Sequence, residues 1–259
     1  MLGGGAGLSD AAGLRYAGPR FTEHFADFIK KYGMTDMYTA GFYPFSSEEA
    51  RWGYWARHIL FNRFDPPALP LYQALLALVR GKEYFVVTTN VDQQAMKAGF
   101  EPSRIFAAQG DYGQIQCARA CHDTLYDDEA MVRRMAANTK DCLIPAGLVP
   151  RCHVCGGPMD VHIRKDASFI EDDAWRQAST QYTAFLQRAA AARVVFLELG
   201  VGYNTPSVIR YPFEQMTYRF KNATLIRLNR DYPDGAAENA EKTVAFAEDM
   251  AEVIEALRE

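Results

Sequence analysis

The sequence contains no apolar run of about 18 residues, the length that a membrane-spanning helix requires. Its first residues, 1–5, include neither the basic segment nor the apolar segment of a secretory signal peptide. An excess of positive charge is also absent, because 28 Lys and Arg oppose 32 Asp and Glu and give a net charge of −4. We therefore expect no binding to membranes or to nucleic acid. The missing signal and the free cysteines favour a cytoplasmic location.

Two nucleotide-binding motifs are also missing. The chain has no P-loop motif, and no strict G-x-G-x-x-G follows a predicted strand, so an ordinary dehydrogenase is not favoured. What the chain does have is an ordinary globular composition, with 49% hydrophobic and 23% charged residues among 259. A chain of this length forms one or two domains and buries enough surface to fold without disulfide bonds.

Four short apolar segments predict buried β-strands, over residues 84–89, 104–108, 194–199 and 223–228. Segments with helical periodicity separate them, and the last helix is predicted over about 237–258. Strands that alternate with helices indicate an α/β fold with a doubly wound, parallel, Rossmann-like sheet. In such sheets a ligand binds beyond the carboxyl ends of the strands.

Small or polar residues follow each predicted strand, at the edge where a nucleotide would bind. These residues are Asn90-Val91-Asp92, Gln109-Gly110-Asp111, Gly200-Val201-Gly202 and Asn229. The opening segment, residues 3–9, is also rich in glycine and lets a phosphate approach backbone N–H groups. A flexible terminal tail is the alternative interpretation of that glycine run.

Four of the five cysteines form two closely spaced pairs, Cys117 with Cys121 and Cys152 with Cys155. Each short turn supplies two thiolates, and two such turns about thirty residues apart predict one structural zinc ion. Unliganded buried thiols or a redox pair are the alternatives. His122 and His153 stand beside these cysteines and could replace one as a ligand, whereas Cys142 is expected in the core. The predicted division is a Rossmann-like domain over 1–111 and 164–259, with a helical insertion at about 21–65, and a zinc module over 112–163.

In this order along the chain, the motifs resemble those of the sirtuin family. The matching blocks are Gly5-Ala6-Gly7-Leu8-Ser9 with Gly13-Leu14, Thr89-Asn90-Val91-Asp92, Gln109-Gly110-Asp111, the four paired cysteines, Gly200-Val201-Gly202 and Asn229. The resemblance covers nearly the whole chain. It implies an NAD-binding Rossmann-like domain, a structural zinc module and cleavage of the bond between nicotinamide and ribose.

The resemblance also implies roles for single residues. Asn90 would contact the reacting ribose, and Asp92 would bind the nicotinamide carboxamide. Gly5 belongs to the opening loop, in which Ala6, Gly7 and Ser9 would contact the pyrophosphate. Gly200, Gly202 and Asn229 would contact the adenosine half. For Asn90 and Asp92 the alternative is a turn residue that bonds its own backbone.

The departures from the sirtuin pattern point to one subgroup. Gln109 stands where sirtuins have the catalytic histidine, Thr89 replaces a glutamine, and the Asp-Phe-Arg stretch after the opening is absent. These features look like the macrodomain-linked class M sirtuins, which are NAD-dependent protein ADP-ribosyltransferases acting on a lipoylated carrier protein. A separate macrodomain protein that removes the modification is then an expected partner.

Gln109 decides which chemistry we expect. A neutral carboxamide cannot accept a proton near pH 7, so deacylation should fail, although Gln109 can still hydrogen-bond the ribose. Transfer of ADP-ribose to a side chain of a protein substrate is the remaining reaction. The alternatives are an NAD-dependent deacylase that works without histidine and a weakly catalytic sensor that binds NAD or ADP-ribose.

Two further expectations concern Arg164 and the start of the chain. Arg164 follows the second cysteine pair, where sirtuins bind the substrate, and a guanidinium there could orient an acidic acceptor or a phosphate. A solvated arginine beside Asp160 and Asp166 is the alternative. Sirtuins begin with a strand before the glycine loop, but only four residues precede Gly5. We expect either a truncated or misassigned start or the loss of that strand.

Overall fold

The structure, a computed structural model, describes residues 1–258 and divides them into two compact units. The first unit comprises Met1–Gly13, Ala68–Gly110 and the chain from Glu171 onward. The second comprises Leu14–Pro67 and Asp111–Ile170. In this division the helical segment at about 21–65 belongs with the cysteine-bearing segment, whereas the prediction assigned it to the Rossmann-like domain as an insertion.

Strands and helices alternate through much of the chain. The strands are β1 (Leu2–Gly4), β2 (Val86–Thr88), β3 (Ile105–Ala107), β4 (Gly110–Cys117), β5 (Tyr126–Asp127), β6 (Met159–Ile163), β7 (Val194–Leu199), β8 (Ala223–Leu228) and β9 (Thr243–Phe246). The α-helices are α1 (Ala6–Ala11), α2 (Pro19–His24), α3 (Ala26–Tyr32), α4 (Met37–Ala40), α5 (Glu48–Ile59), α6 (Pro70–Val79), α7 (Gln94–Lys97), α8 (Glu129–Ala137), α9 (Asp173–Ala191), α10 (Arg210–Arg219) and α11 (Met250–Ala256).

The first unit contains a six-stranded sheet with the order β3-β2-β1-β7-β8-β9, in which every neighbouring pair is parallel. The predicted doubly wound parallel sheet is therefore confirmed. From β1 the chain adds β2 and β3 on one side and later adds β7, β8 and β9 on the other. The switch in strand order thus falls between β1 and β7, where a crevice opens at the carboxyl ends of the strands.

The first strand, which the sequence left in doubt, is present at the centre of this sheet. Leu2–Gly4 pairs with β2 on one side and with β7 on the other, so the expectation that the strand is missing was wrong. The sequence did not predict this strand because glycine has a low propensity for strands. Gly3 is required by packing: a Cβ there would lie 2.5 Å from Cγ2 of Ile209 and 2.6 Å from the Phe213 ring.

Two apolar cores cover the two faces of the sheet. Residues alternate between them along the strands, as the pleat requires: Leu2 and Val86 face one core, whereas Phe85 and Val87 face the other. The first core includes residues of α6 and α11, and the second includes residues of α9 and α10. Burial on both faces explains why the strands are continuous apolar runs in the sequence.

The C-terminal segment differs from the prediction of one helix over 237–258. A 3-10 helix (Ala237–Lys242) leads into β9, which pairs with β8, and only Met250–Ala256 forms an α-helix. That helix begins where the Asp249 carboxylate accepts hydrogen bonds from the backbone N–H groups of Ala251 and Glu252. The many Ala and Glu residues in this stretch imitate helical periodicity and concealed the strand.

The second unit combines helices α2 to α5 and α8 with a three-stranded sheet of order β5-β4-β6. Its core is aromatic, with Phe21, Phe25, Phe28, Trp52 and Tyr54 all nearly inaccessible to solvent. A π-helical turn (Leu60–Phe64) extends α5. In residues 1–258 no helix combines the length and the apolar character that crossing a bilayer demands.

Candidate functional site

The loops after β1 and β7 meet at the switch in strand order, and glycine makes their close approach possible. The N–H of Gly7 donates to the carbonyl of Gly200 over 2.9 Å, and the N–H of Gly5 donates to the carbonyl of Leu199 over 2.9 Å. A Cβ at Gly5 would lie 2.6 Å from the Gly200 oxygen, and one at Gly200, whose φ is +59°, would lie 2.4 Å from the Gly7 backbone. The glycine run is therefore not a loose tail: it comprises the end of β1, a turn at Gly5 and the start of α1.

Four polar side chains form a hydrogen-bonded cluster beside this turn: Ser9, Tyr72, Asn90 and Asp92. The Ser9 hydroxyl donates to Oδ2 of Asp92 over 2.5 Å and lies 2.8 Å from the Tyr72 hydroxyl. Because the Ser9 proton is directed to Asp92, the Tyr72 hydroxyl donates to Ser9. The hydrogen bonds therefore run in one direction, from the Tyr72 hydroxyl to the Ser9 hydroxyl and from there to the Asp92 carboxylate.

Asn90 joins the cluster to the backbone of the glycine turn. Its Nδ2 donates to the Gly5 carbonyl over 2.9 Å, to the Ser9 hydroxyl over 3.0 Å and to the Tyr72 hydroxyl over 3.2 Å. Its own N–H is held by the Thr88 hydroxyl, 3.0 Å away. Within residues 1–258 the Oδ1 atom of this half-buried side chain has no such partner, so it can accept a hydrogen bond from a ligand.

Asp92 is 5% exposed, and its second oxygen accepts from the backbone N–H of Gln94 over 2.9 Å. A cavity of about 30 Å³, bordered by Tyr72, Asn90 and Asp92, adjoins the cluster. That volume is sufficient for water. Gln93, which follows Asp92, adopts a left-handed conformation with φ of 59°, a position that favours glycine.

Tyr72 was missed by sequence reasoning. It lies in α6, which reads as an ordinary apolar helix, and nothing in its spacing distinguishes a tyrosine that faces a site from one that faces the core. Burial, and secondly the charge of Asp92, raise the pKa of Tyr72 well above its ordinary value, so it remains a hydrogen-bond donor.

Gln109 lies two residues after the end of β3, at the same edge of the sheet as Asn90, which lies two residues after the end of β2. It is half-buried, and its side chain has no hydrogen-bond partner in the described part of the chain. Its carboxamide therefore has both a donor and an acceptor for a ligand, but no basic nitrogen.

The predicted adenosine contacts lie on the other side of the switch point. Gly200 and Gly202 belong to the loop after β7, and Gly202 is exposed. Asn229 follows β8 and connects the two loops: its Nδ2 donates to the Val201 carbonyl over 2.9 Å, and its Oδ1 accepts from the N–H of Tyr232 over 3.0 Å. Asn229 therefore fixes the shape of the two loops. It is also a candidate contact for the adenosine half. Ala6, next to the crevice, is exposed.

Arg164 belongs to the second unit, directly after β6, and is exposed. Its guanidinium carbon lies 4.2 Å from the centroid of the Phe169 ring. The structure thus places the Arg164 guanidinium over an aromatic ring of its own unit.

The four paired cysteines meet in the second unit with their sulfurs within 4.8 Å of one another. The Cys117 and Cys155 sulfurs lie 3.7 Å apart, and those of Cys121 and Cys152 lie 3.6 Å apart. A zinc ion with bonds of about 2.3 Å to four sulfurs places them about 3.8 Å apart, so these residues fit one tetrahedral ion. Backbone N–H groups, first that of Cys155, lower the pKa of Cys152 and favour the thiolate. Cys142 is buried away from this group, as expected.

The sequence profile of the Sir2 family matches residues 5–193, which include the glycine turn, Asn90, Asp92, Gln109 and all the cysteines. The chain belongs to the Sir2 family. The sirtuin resemblance noted in the sequence is thereby confirmed.

Two relatives of this sirtuin carry descriptive names. A protein named "Protein ADP-ribosyltransferase" from Staphylococcus aureus is 36% identical over 255 residues, which cover 98% of this chain and 81% of that protein. A "Probable bifunctional ADP-ribose hydrolase/ADP-ribosyltransferase" from Fusarium oxysporum f. sp. cubense is 32% identical over 85% of this chain. The match spans only 38% of the Fusarium protein.

Solved structures agree with the sirtuin fold. A Sir2 homologue in complex with ADP-ribose superposes with a TM-score of 0.61 at 15% identity and covers 100% of this chain and 89% of its own. A Sir2 homologue in complex with NAD gives the same TM-score at 16% identity and covers 100% of this chain and 87% of its own. The loops after β7 and β8 lie beyond the region that the family profile matches.

Proposed function

We propose that this sirtuin is an NAD-dependent protein ADP-ribosyltransferase whose acceptor is a lipoylated carrier protein. The observation that carries the proposal is Gln109, a carboxamide at the carboxyl edge of the sheet where the family's deacylation needs a histidine. The 36% identical relative named as a protein ADP-ribosyltransferase supports the same reaction. NAD is a substrate, and the NAD and ADP-ribose complexes of Sir2 homologues support its use.

The proposed reaction breaks the bond between nicotinamide and C1′ of the ribose, and the electron pair of that bond leaves with nicotinamide. A nucleophilic side chain of the carrier protein forms the new bond to C1′ and releases its proton to solvent. The products are nicotinamide and the ADP-ribosylated protein. No acyl transfer is required, so a base at position 109 is not needed.

The residues of the first unit have complementary tasks in this proposal. Asn90, whose Nδ2 is fixed by three acceptors, presents Oδ1 to the hydroxyls of the reacting ribose. Asp92 binds the nicotinamide carboxamide, and its carboxylate stabilises positive charge that develops at the ribose. Gln109 hydrogen-bonds the ribose, and the turn from Gly5 to Ser9 contacts the pyrophosphate. In the second unit, the exposed Arg164 orients the acceptor.

The zinc module has a structural task. The cysteine pairs, Cys117 with Cys121 and Cys152 with Cys155, hold one zinc ion that fixes the end of β4 next to the turn before β6. Such an ion supplies folding energy and takes no part in the transfer.

The decisive experiment is the intact mass of a lipoylated carrier protein after incubation with NAD and this protein. We expect a gain of one ADP-ribose unit, which is lost with Asn90→Ala. Asn222→Ala is the matched control, because Asn222 is an exposed asparagine just before β8, at the opposite end of the strand from Asn229.

Three other results would contradict the proposal. Formation of acyl-ADP-ribose from an acylated peptide would make the protein a deacylase. Tight NAD binding with no release of nicotinamide would make it a sensor. Modification of other proteins but not of the lipoylated carrier would support the transferase activity and reject the carrier as its acceptor.

A separate macrodomain protein that removes the modification is the partner that this proposal implies.

A further inference from the structure

Each of the two cysteine pairs in the second unit combines one buried and one exposed cysteine. Cys117 and Cys152 are buried, whereas Cys121 and Cys155 are exposed. Reaction of a cysteine with an electrophile requires both thiolate character and access to solvent. Of the four proposed zinc ligands, Cys121 and Cys155 are therefore the two that a reagent can reach.

An imidazole lies against the first of these exposed cysteines. Nδ1 of His122 lies 3.1 Å from Sγ of Cys121, and Nε2 of the same ring lies 2.9 Å from the Tyr126 hydroxyl. A zinc-binding cysteine is a thiolate, which can only accept a hydrogen bond, so Nδ1 carries a proton and donates to Cys121. In the neutral ring Nε2 then accepts from the Tyr126 hydroxyl. These hydrogen bonds run in one direction, from Tyr126 through His122 to Cys121.

The strand pairing of the second unit fixes the position of this imidazole. Tyr126 belongs to β5 and pairs with Ile115 of β4. Its ring contacts the half-buried His122 ring edge to face, with centroids 5.9 Å apart. On the other side the Tyr126 ring makes a similar contact with His153, also with centroids 5.9 Å apart. Tyr126 is therefore held by the sheet and in turn orients His122.

The second exposed cysteine has no such partner. Outside the cysteine group, no side chain within residues 1–258 forms a hydrogen bond with Sγ of Cys155. The residue before it, Val154, is 67% exposed. The residue after it, Gly156, is exposed and has no atom within 4 Å of the place where a Cβ would lie. Solvent therefore reaches Cys155 without a side-chain donor on its sulfur.

We infer that Cys155 is the site at which a soft alkylating electrophile modifies the cysteine group, while His122 protects Cys121 from the same reaction. A hydrogen bond that stabilises a thiolate lowers its intrinsic nucleophilicity. Groups that bond a metal ligand in this way also hold that ligand in position for the metal. The inference goes beyond the proposed function and does not depend on the reaction with NAD.

The proposed modification forms a bond between Sγ of Cys155 and a carbon of the reagent. The bond between that carbon and its leaving group breaks, and the leaving group departs with the electron pair. The product is a neutral thioether. Because zinc binds cysteine as the thiolate, loss of the negative charge at Cys155 should weaken zinc binding and release the ion.

The test treats the zinc-loaded protein with a substoichiometric amount of iodoacetamide. Peptide masses identify the alkylated cysteine, and a chromogenic chelator measures the released zinc. We expect Cys155 to carry about ten times as much label as Cys121. We also expect about one zinc ion to be released for each label. The buried Cys142 should stay unlabelled and reports on unfolding.

Two substitutions of His122 separate its hydrogen bond from its bulk. His122→Ala removes the donor, so Cys121 should then be labelled as fast as Cys155, and zinc affinity in competition with a chelator should fall about 10- to 100-fold. His122→Asn places an amide N–H near the position of Nδ1 and should keep Cys121 protected. The matched control is His153→Ala, because His153 is an exposed histidine beside the second pair and forms no hydrogen bond with a sulfur in the described part of the chain.

The other outcomes would overturn the inference in distinguishable ways. Equal labelling of Cys121 and Cys155 in the wild-type protein, or faster labelling of Cys121, would show that no protection exists. An unchanged labelling ratio in His122→Ala would show that the imidazole is not its source.

If His122→Ala also exposes Cys142 to the reagent, the variant is unfolded and Tyr126→Phe decides instead. Loss of the Tyr126 hydroxyl frees the imidazole, so labelling of Cys121 should rise, and an unchanged ratio would overturn the inference. A purified protein that holds no zinc would overturn the inference together with the zinc module, but not the proposed reaction with NAD.

Discussion

Two regions at the same edge of the sheet fix their polar groups in different ways. In the cluster after β1 and β2, side chains bond other side chains, as Ser9 bonds Asp92 and Tyr72. In the loops after β7 and β8, side chains bond backbone carbonyls, as Asn229 and Arg210 both bond the Val201 carbonyl. The first arrangement fixes side chains relative to one another, whereas the second sets the shape of loops.

The two regions also accommodate buried carboxylates differently. Asp92 is stabilised by neutral donors, a hydroxyl and a backbone N–H. Glu198 is fully buried and depends on two arginines. Burial raises the pKa of Glu198, and the hydrogen bonds and charges of the arginines oppose that rise. The Glu198 carboxylate is thus neutralised inside the protein by its arginines.

The largest expected effect comes from a substitution that disrupts the second region. Glu198→Gln leaves Arg210 and Arg227 buried without their main counter-charge, and we expect the free energy of unfolding in urea to fall by about 3–5 kcal/mol. The matched control is Glu83→Gln, because the Glu83–Arg188 pair is exposed and should contribute less than about 1 kcal/mol. Equal, small effects of the two substitutions would show that the buried network does not hold the fold.

A third buried carboxyl extends the comparison, because within residues 1–258 neither a neutral donor nor an arginine forms a hydrogen bond with it. Asp128 in the second unit is fully buried, and neither of its oxygens has a hydrogen-bond partner within residues 1–258. Burial first, and then the charge of Asp111, raise its pKa to about 8, although Arg63 opposes the shift and Asp127 adds to it. The Arg63 guanidinium itself bonds Asp111 over 2.8 Å.

The sign of the pH effect follows from this raised pKa. The folded protein holds a proton that the unfolded chain releases near its ordinary pKa of 3.8, so the contribution of Asp128 to stability falls as pH rises from about 4 to about 8. Asp128→Asn removes that dependence and should stabilise the protein at pH 8 by about 1–3 kcal/mol, with a smaller gain at pH 5. Urea unfolding at both pH values measures this change in the free energy of unfolding. A gain in stability that does not depend on pH would contradict the expectation.

A smaller effect tests the first region. Tyr72→Phe removes the hydroxyl that donates to Ser9 and should cost about 1–2 kcal/mol of stability. Because the cluster positions Asn90 and Asp92, we also expect the rate of ADP-ribose transfer to fall while the Kd of ADP-ribose stays the same. Tyr218→Phe, at an exposed site, provides the control. An unchanged transfer rate would show that Tyr72 only fills the core.

The smallest effect concerns backbone strain beside the same cluster. Gln93 has a φ of 59°, and glycine adopts this conformation without a Cβ penalty. Gln93→Gly should therefore raise the free energy of unfolding by about 0.5–1 kcal/mol. Gln93→Ala keeps the strain and loses the side chain, so a gain from alanine as large as that from glycine would exclude strain as the cause.

Much of the fold was predictable because its strands are buried on both faces and therefore appear as apolar runs. The segment Val194–Leu199 is an example, since only one of its six residues is exposed. The cysteine group was predictable for a different reason, because two closely spaced cysteine pairs are typical of one tetrahedral zinc site. The positions of Asn90, Asp92 and Gln109 at one edge of the sheet were predictable, because all three follow strands of that sheet, whereas their roles stay predictions.

The rest depended on tertiary contacts that local patterns do not contain. Leu2–Gly4 forms a strand because β2 and β7 pair with it, and Gly3 is needed only because Ile209 and Phe213 pack above it. Thr243–Phe246 forms a strand because β8 offers a free edge. Tyr72 joins the cluster because α6 packs beside β1 and β2, a fact that the helix's own sequence does not indicate.

The contact between Gly7 and Gly200 has a mechanical consequence. Turns on separate strands usually fluctuate independently, but here the N–H of Gly7 is bonded to the Gly200 carbonyl and no side chain separates the two backbones. The two turns therefore move as one body. A dinucleotide that binds across them meets a surface whose conformational entropy was lost during folding, so binding does not have to order it again. The amide of Gly7 should exchange with solvent as slowly as those of the central strands.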